Sequence, residues 1–308
     1  MSLWVLLGLL ACNAIWALMP IMGKFLLLSY APFQLAQLRY GASLCTALFL
    51  ICLFRWLRPQ SISPLRAVVH RNNFHWIASM GLVTFFASPI LQYLGLSRST
   101  ATANSLVVAI EPLFAALLAW LFLGEKLSGR QKTGFAIAVA GFFLLSNIKP
   151  NNLAESFSLF SVGNLFFLAV MPCEALYTII SRRLVGRITP ISILGASLAF
   201  GFLVLSGYFW LLGEAWPSLE PLYDPRKLGA LLLVGPIGTA IAYIFWSEAL
   251  TTATVAMVAL TLLAQPLLGT VAGYFFLGER LDLWQGLGAL LILGALTLEL
   301  LPGTEEVS

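Results

Sequence analysis

Glu111 and Gln265 are the residues whose type and placement most directly suggest chemistry in this sequence. Each stands inside a long apolar stretch, and each is followed at once by proline, Pro112 and Pro266. An ionisable group inside lipid costs roughly 2.5–3.5 kcal/mol on insertion scales, so it is read first as functional. Proline removes a backbone donor and frees a carbonyl four residues back, here those of Val108 and Leu262. Such carbonyls either accept from a ligand or are satisfied by neighbouring side chains. At helical spacing Asn104, Val108, Glu111 and Ala115 share one face, and Thr254, Val258, Thr261 and Gln265 share another. Two such faces can hold a small polar solute between them, and Glu111 is a candidate proton carrier. The alternative for Glu111 is a hydrogen bond in helix packing and no ligand.

Other intramembrane groups extend the candidate set. Glu174 lies one turn before Tyr177 and Thr178, and either lines a cavity or pairs with a neighbouring helix. Arg39 pairs with a cavity carboxylate or anchors helix packing, and Lys24 either snorkels outward or joins the site. Trp16, Tyr93, Tyr177, Tyr243 and Trp246 can stack on an aromatic solute or surround a quaternary ammonium by cation–π attraction. For any one of them packing or interfacial anchoring is the commoner role. Nothing points to catalysis. The only histidines, His70 and His75, sit at or near a helix boundary, and Cys12, Cys45, Cys52 and Cys173 have neither metal nor redox spacing. No catalytic residue, metal or cofactor is expected, and no glycine loop reads as a phosphate cradle.

The elements that position these groups follow from composition. Of 308 residues 60% are hydrophobic and 10% charged, and the mean hydropathy is +0.92. So few charges cannot cover a water-facing surface, which makes lipid the natural solvent. A bilayer core needs about 20 helical residues. Apolar stretches of that order run over 3–28, 33–54, 74–96, 100–123, 131–147, 158–181, 191–212, 228–250, 252–277 and 284–301. The first is not read as a cleaved signal, since it lacks a basic start and carries Asn13 and Pro20. With the N-terminus placed in the cytoplasm, ten Lys and Arg fall in inside connections, among them Arg55, Arg58, Arg66, Arg71, Arg182, Arg183 and Arg187. Five fall outside, so the positive-inside rule predicts cytoplasmic termini in the inner (plasma) membrane. The Arg55–Arg71 connection suits anionic lipid headgroups, and no basic cluster suits nucleic acid.

Sliding the sequence against itself exposes a repeat. Glu111-Pro112-Leu113 matches Gln265-Pro266-Leu267, and Leu123-Gly124-Glu125-Lys126-Leu127 matches Leu277-Gly278-Glu279-Arg280-Leu281, all at an offset of 154 from Gly124 to Gly278. Gly41-Ala42-Ser43-Leu44 meets Gly195-Ala196-Ser197-Leu198 in the same register. The expected fold is an all-α membrane protein of ten transmembrane helices, arranged as two five-helix repeats over 1–150 and 151–308. An odd number of helices inverts the second repeat and places a solute site near the midplane between the halves. The halves are not equivalent, because Ile193 stands opposite Arg39 at that offset and Met22 stands opposite Glu174 at an offset of 152, which small loop insertions explain. The small pair Gly269 and Gly273, mirrored by Ala115 and Ala119, is expected to let helices approach closely.

With Asn13, Trp16 and Lys24 in the first helix, Arg39 in the second and two Leu-Gly-Glu-(Lys/Arg)-Leu junctions after proline-bearing helices, the chain resembles the EamA-type members of the drug/metabolite transporter superfamily. The resemblance covers essentially the whole chain. It implies ten helices, cytoplasmic termini, a central cavity, no enzymatic activity and no ATP-binding domain. The partners expected are a small-molecule substrate and the lipid bilayer, with the oligomeric state open between monomer and homodimer. The expected function is export of amino acids or related metabolites by alternating access. A transporter of organic cations or quaternary amines is the alternative, for which Glu111, Glu174 and the aromatic residues are suited.

Overall fold

The computed structural model describes residues 2–99, 104, 107–108, 111–125, 128–145, 162–268 and 283–298. These residues are helical between short connections and contain no strand. The helices are α1 (Leu3–Leu26), α2 (Pro32–Leu57), α3 (Arg71–Arg98), α4 (Glu111–Leu123), α5 (Gly129–Leu145), α6 (Val162–Leu184), α7 (Pro190–Leu211), α8 (Pro225–Ala249), α9 (Val255–Leu268) and α10 (Leu283–Leu298). Asn104, Val107 and Val108, ahead of α4, are helical as well. Six of these, α1, α2, α3, α6, α7 and α8, are long and apolar enough to cross a bilayer. Glu111–Leu123 and Val255–Leu268 are shorter apolar helices. Large apolar side chains such as Trp4, Leu28, Leu203 and Leu211 are exposed on the outer faces, where lipid and not water would be tolerable.

Local chemistry sets the helix starts. Pro32, Pro190 and Pro225 open α2, α7 and α8, where a missing N–H is harmless. Ser2 caps α1, Asp224 caps α8 through the Arg226 amide at 2.9 Å, and Thr254 caps α9 through Met257. The break anticipated near Thr251 is therefore real, a turn between Leu250 and Thr254. The Gly269–Gly273 pair and the Gly278–Leu281 junction lie outside the described residues, whereas Ala115 and Ala119 are buried.

Two helices depart from α geometry at matching places. A π turn occupies Val83–Ala87 in α3, just before Pro89, and a longer one occupies Leu233–Ile241 in α8 around Pro236. Proline cannot donate to the carbonyl four residues back, so the ladder slips to wider rings there.

The connections bond to one another in two groups. At one end Ser63, between α2 and α3, exchanges hydrogen bonds with Thr189 before α7 (2.8 and 3.2 Å). At that end too, Glu125 after α4 meets Arg182 of α6 at 3.5 Å and accepts from the Val255 amide at the start of α9. At the other end the Tyr30 hydroxyl donates to Ser218 O and Lys24 Nζ donates to Leu96 O and Ser99 O. Ser99 in turn bonds Asn164 at the start of α6 (2.6 Å). Helix α6 therefore begins where α1 finishes, and the two run in opposite directions. Packing partners also pair off. Helix α8 lies against α1 and α2 while α3 lies against α6 and α7, and α2 meets α7, α4 meets α9, and α5 meets α10.

At the α3–α7 contact backbone meets backbone closely. A Cβ on Gly81 would lie 2.6 Å from Ser197 O, and one on Gly201 would lie 2.5 Å from Gly81 O. Gly201→Val is expected to destabilise the solubilised protein by about 1–3 kcal/mol, read as a lowered Tm. Gly207→Val on the same helix, where a Cβ meets nothing within 4 Å, should leave Tm unchanged.

Candidate functional site

A chamber of about 70 Å³ lies in the centre of the bundle, room for on the order of five waters. Its walls come from α1 to α4 on one side of the sequence and from α6, α8 and α9 on the other. Helix α1 supplies Trp16, Met19 and Pro20, α2 supplies Arg39, and α3 supplies Gln92. Asn104, Val108 and Glu111 face in from α4 and the turn before it. Helix α6 contributes Glu174, Tyr177 and Thr178, α8 contributes Tyr243 and Trp246, and α9 contributes Leu262 and Gln265.

The aromatic wall is held by its own polar groups. The Trp16 indole donates to Gly238 O at 2.7 Å, a carbonyl within the α8 π turn. Trp246 donates to Thr178 Oγ1 at 3.0 Å, and the Tyr177 hydroxyl pairs with Ser247 Oγ at 2.8 Å. Trp16 packs against Trp246 and Tyr243 with ring centroids 5.0 and 5.4 Å apart, and Tyr177 meets Tyr243 edge-on at 4.6 Å. With these handles satisfied, the rings present apolar faces of fixed orientation.

The polar groups divide into those already engaged and those that are not. Glu174 accepts from the Ser88 hydroxyl and from Tyr243 at 2.5 Å. Gln265 donates to Asn13 Oδ1 at 3.0 Å, and Asn13 donates to Thr261 and to Leu9 O. Glu111 and Asn104, only 8% and 2% exposed, make no side-chain hydrogen bond among the described residues. Both look into the chamber with their bonding capacity unspent.

Nine of the eleven residues singled out by sequence line this space: Glu111, Gln265, Asn104, Glu174, Trp16, Tyr177, Tyr243, Trp246 and Arg39. Tyr93 and Thr261 do not. A 3₁₀ turn over Thr261–Leu263 brings Leu262 and Gln265 onto one face, and the Thr261 hydroxyl is tied to Val258 O. The π turn in α3 rotates the helix beyond it, so Gln92 reaches the chamber and Tyr93 packs beside it. An intramembrane amide one turn after Pro89 was the available sign of Gln92. Lys24 does not line the chamber; its exposed side chain caps the last carbonyls of α3 at the end of the bundle. Arg39 pairs with no carboxylate among the described residues. Its Nε donates to Thr239 Oγ1 at 3.1 Å and its Nη1 to Gln92 Oε1 at 2.8 Å.

Asn13→Ala is expected to leave Thr261 and Gln265 short of a partner. The loss should be about 1–3 kcal/mol of stability, measured by thermal or denaturant unfolding in detergent. Unchanged unfolding would mean that water replaces the Asn13 contacts at no cost.

Comparison with known proteins bears on what such a chamber serves. The EamA-like transporter family matches residues 2–147 and again 161–301. The uncharacterized transporter YwfM of Bacillus subtilis is 27% identical over 68% of this chain and 69% of its own. YyaM of the same organism is 22% identical over 90% and 87%. A probable terminal-alkyne amino-acid exporter of Streptantibioticus cattleyicolor is 25% identical over 66% and 65%. A solved crystal structure, 18% identical, superposes over 96% of both chains with a TM-score of 0.69, which shows the fold.

Proposed function

Since the chain belongs to the EamA-like transporter family, we propose that it is a secondary transporter exporting amino acids or related small metabolites by alternating access. Membership makes it a multi-pass membrane transporter and not an enzyme. The observation that carries the rest is the central chamber, walled by α1–α4 and by α6, α8 and α9, with Glu111 and Asn104 facing it unbonded among the described residues. A solute held there touches both halves of the sequence, so relative movement of the halves opens it to one side or the other.

Several features support two inverted five-helix repeats over 1–150 and 151–308, with ten spans in all. The family matches twice, α1 and α6 run oppositely, and the π turns of α3 and α8 recur at the repeat spacing. The Arg182–Glu125 pair and the Lys24 cap tie helices at opposite ends, and contacts of that kind exchange as access alternates. The end that carries Ser63, Glu125 and Arg182 is the one richer in basic connections, which supports cytoplasmic termini in the inner (plasma) membrane. The exporter named for a terminal-alkyne amino acid favours an amino-acid-like solute. Glu111 and Glu174 beside Trp16, Tyr177 and Trp246 favour the second reading, an organic cation or quaternary amine.

Purified protein in liposomes is expected to move members of a panel of amino acids and amines. The double variant Glu111→Ala, Gln265→Ala should slow that movement about tenfold or more. No movement across the whole panel would overturn the transport reading, and a silent double variant would leave the chamber a packing feature. If flux responds to a pH gradient, Glu111→Gln should abolish the response. A variant that keeps both rate and response excludes Glu111 as the proton carrier.

A further inference from the structure

Arg39 is the one guanidinium among the described residues that lines the chamber, and its surroundings are unusual for a buried charge. It is 4% exposed, yet no carboxylate lies within ion-pair distance of it among the described residues. Two of its N–H groups are placed, on Thr239 and Gln92. The Tyr93 hydroxyl takes a further one, and among the described residues the guanidinium has no other hydrogen-bond partner. The charge rests against aromatic faces, 5.0 Å from the Tyr40 ring centroid and 5.9 Å from that of Tyr93. Ring contacts hold a cation in place but do not take up its hydrogen bonds.

The nearest acid of the chamber is already engaged. Both oxygens of Glu174 receive hydroxyl donors, from Ser88 and Tyr243, and it lies beyond ion-pair distance of the guanidinium. Glu174 lies within electrostatic reach of both Arg39 and Glu111. Arg39 and Glu111 make no bond to each other. The chamber thus offers a cationic fork from α2, an open carboxyl from the start of α4 and an open amide from the residues ahead of it.

From the open fork of Arg39 and the unbonded Glu111 and Asn104, we propose that Arg39, steadied by Gln92 and Thr239, reads a free carboxylate on the transported solute. The solute's ammonium faces Glu111 and Asn104. A guanidinium presents parallel N–H groups that match two carboxylate oxygens, which neither an ester nor a bare amine supplies. This rests on the transport reading above, and it selects amino-acid zwitterions over organic cations within it. Thr239 and Gln92 are positioning residues, since they fix the guanidinium and leave the recognition to it. Helix α7 has Ile193 at the position matching Arg39, so the carboxylate subsite is present once and not twice.

The test is competition and counterflow in proteoliposomes with matched probes: L-leucine, L-phenylalanine and L-tryptophan, their methyl esters, and the corresponding decarboxylated amines. The amino acids are expected to exchange, with esters and amines about 10- to 100-fold weaker. Arg39→Gln should bring the three forms to within a few-fold of one another, and Arg39→Lys should restore part of the preference. Gln92→Leu should weaken amino acids selectively while amines are unaffected, and it provides the same readout where Arg39→Gln does not fold. Exchange of amines or esters as readily as amino acids by the unaltered protein overturns the proposal and leaves the transport reading standing. So does an Arg39→Gln variant that keeps full preference. If none of the nine probes moves, the transport reading fails and the carboxylate subsite with it.

Discussion

A polar group in a medium without water must find a partner inside the protein, and most of this architecture follows from that demand. The ties that cross the bundle are polar groups answering one another. Asn13 joins α1 to α9 through Thr261 and Gln265, Trp16 joins α1 to α8, and Tyr177 and Trp246 join α6 to α8. Arg39 joins α2 to α3 and α8 at once. Among the described residues, Gln37 Oε1 is the one sealed side-chain atom without a partner, and its amide nitrogen is bonded to Ser206 away from the chamber. Against that background of satisfaction, the unspent capacity of Glu111, Asn104 and Arg39 is concentrated where a solute would sit.

The same demand explains where the helices are irregular. A regular helix engages its interior carbonyls in its own ladder, and an interruption of that ladder frees acceptors for neighbours. The π turn of α8 supplies Gly238 O to Trp16 and positions Thr239 for Arg39. The π turn of α3 carries Thr84, which donates to Cys173 O of α6, and Phe85, whose ring centroid lies 5.7 to 5.9 Å from those of Tyr40, Tyr177 and Tyr243. Prolines adjacent to or inside these segments make the irregularity a property of the sequence. Two of the chamber's residues, Trp16 and Arg39, are thus held at a place where the α ladder is interrupted.

Those interruptions mark the limit of what can be read from sequence. Apolar length and the 154-residue register are enough to locate the long helices and to bring Glu111, Gln265, Glu174 and Arg39 to attention. Facing is the weak point, because a helical period read from sequence is about 3.6 residues throughout. A 3₁₀ turn tightens that period and a π turn widens it, each rotating the helix beyond it. Leu262 therefore takes the place expected of Thr261, and Gln92 the place expected of Tyr93. Both slips are of one residue. Partner choice is equally hidden. Lys24 and Arg182 bind carbonyls at the ends of α3 and α8, Leu96 O and Leu250 O, and no side-chain pattern advertises a backbone acceptor.

The difference between the halves has a physical rationale of its own. A site closed by two identical repeats would set each charge opposite its copy. Two guanidiniums or two carboxylates across a low-dielectric chamber repel, and a solute of one sign would be required to hold them. Replacing one member of each pair by an apolar or neutral residue removes the repulsion while the fold is kept. Ile193, fully buried in α7, stands where a second arginine would be, and Gln265 stands where a second glutamate would be. What remains is one cation and one unbonded acid from different helices, a charge pattern that does not recur at the 154-residue spacing of the sequence repeat. On the proposed reading this suits an amino acid, which has one positive and one negative end and so needs two unlike subsites.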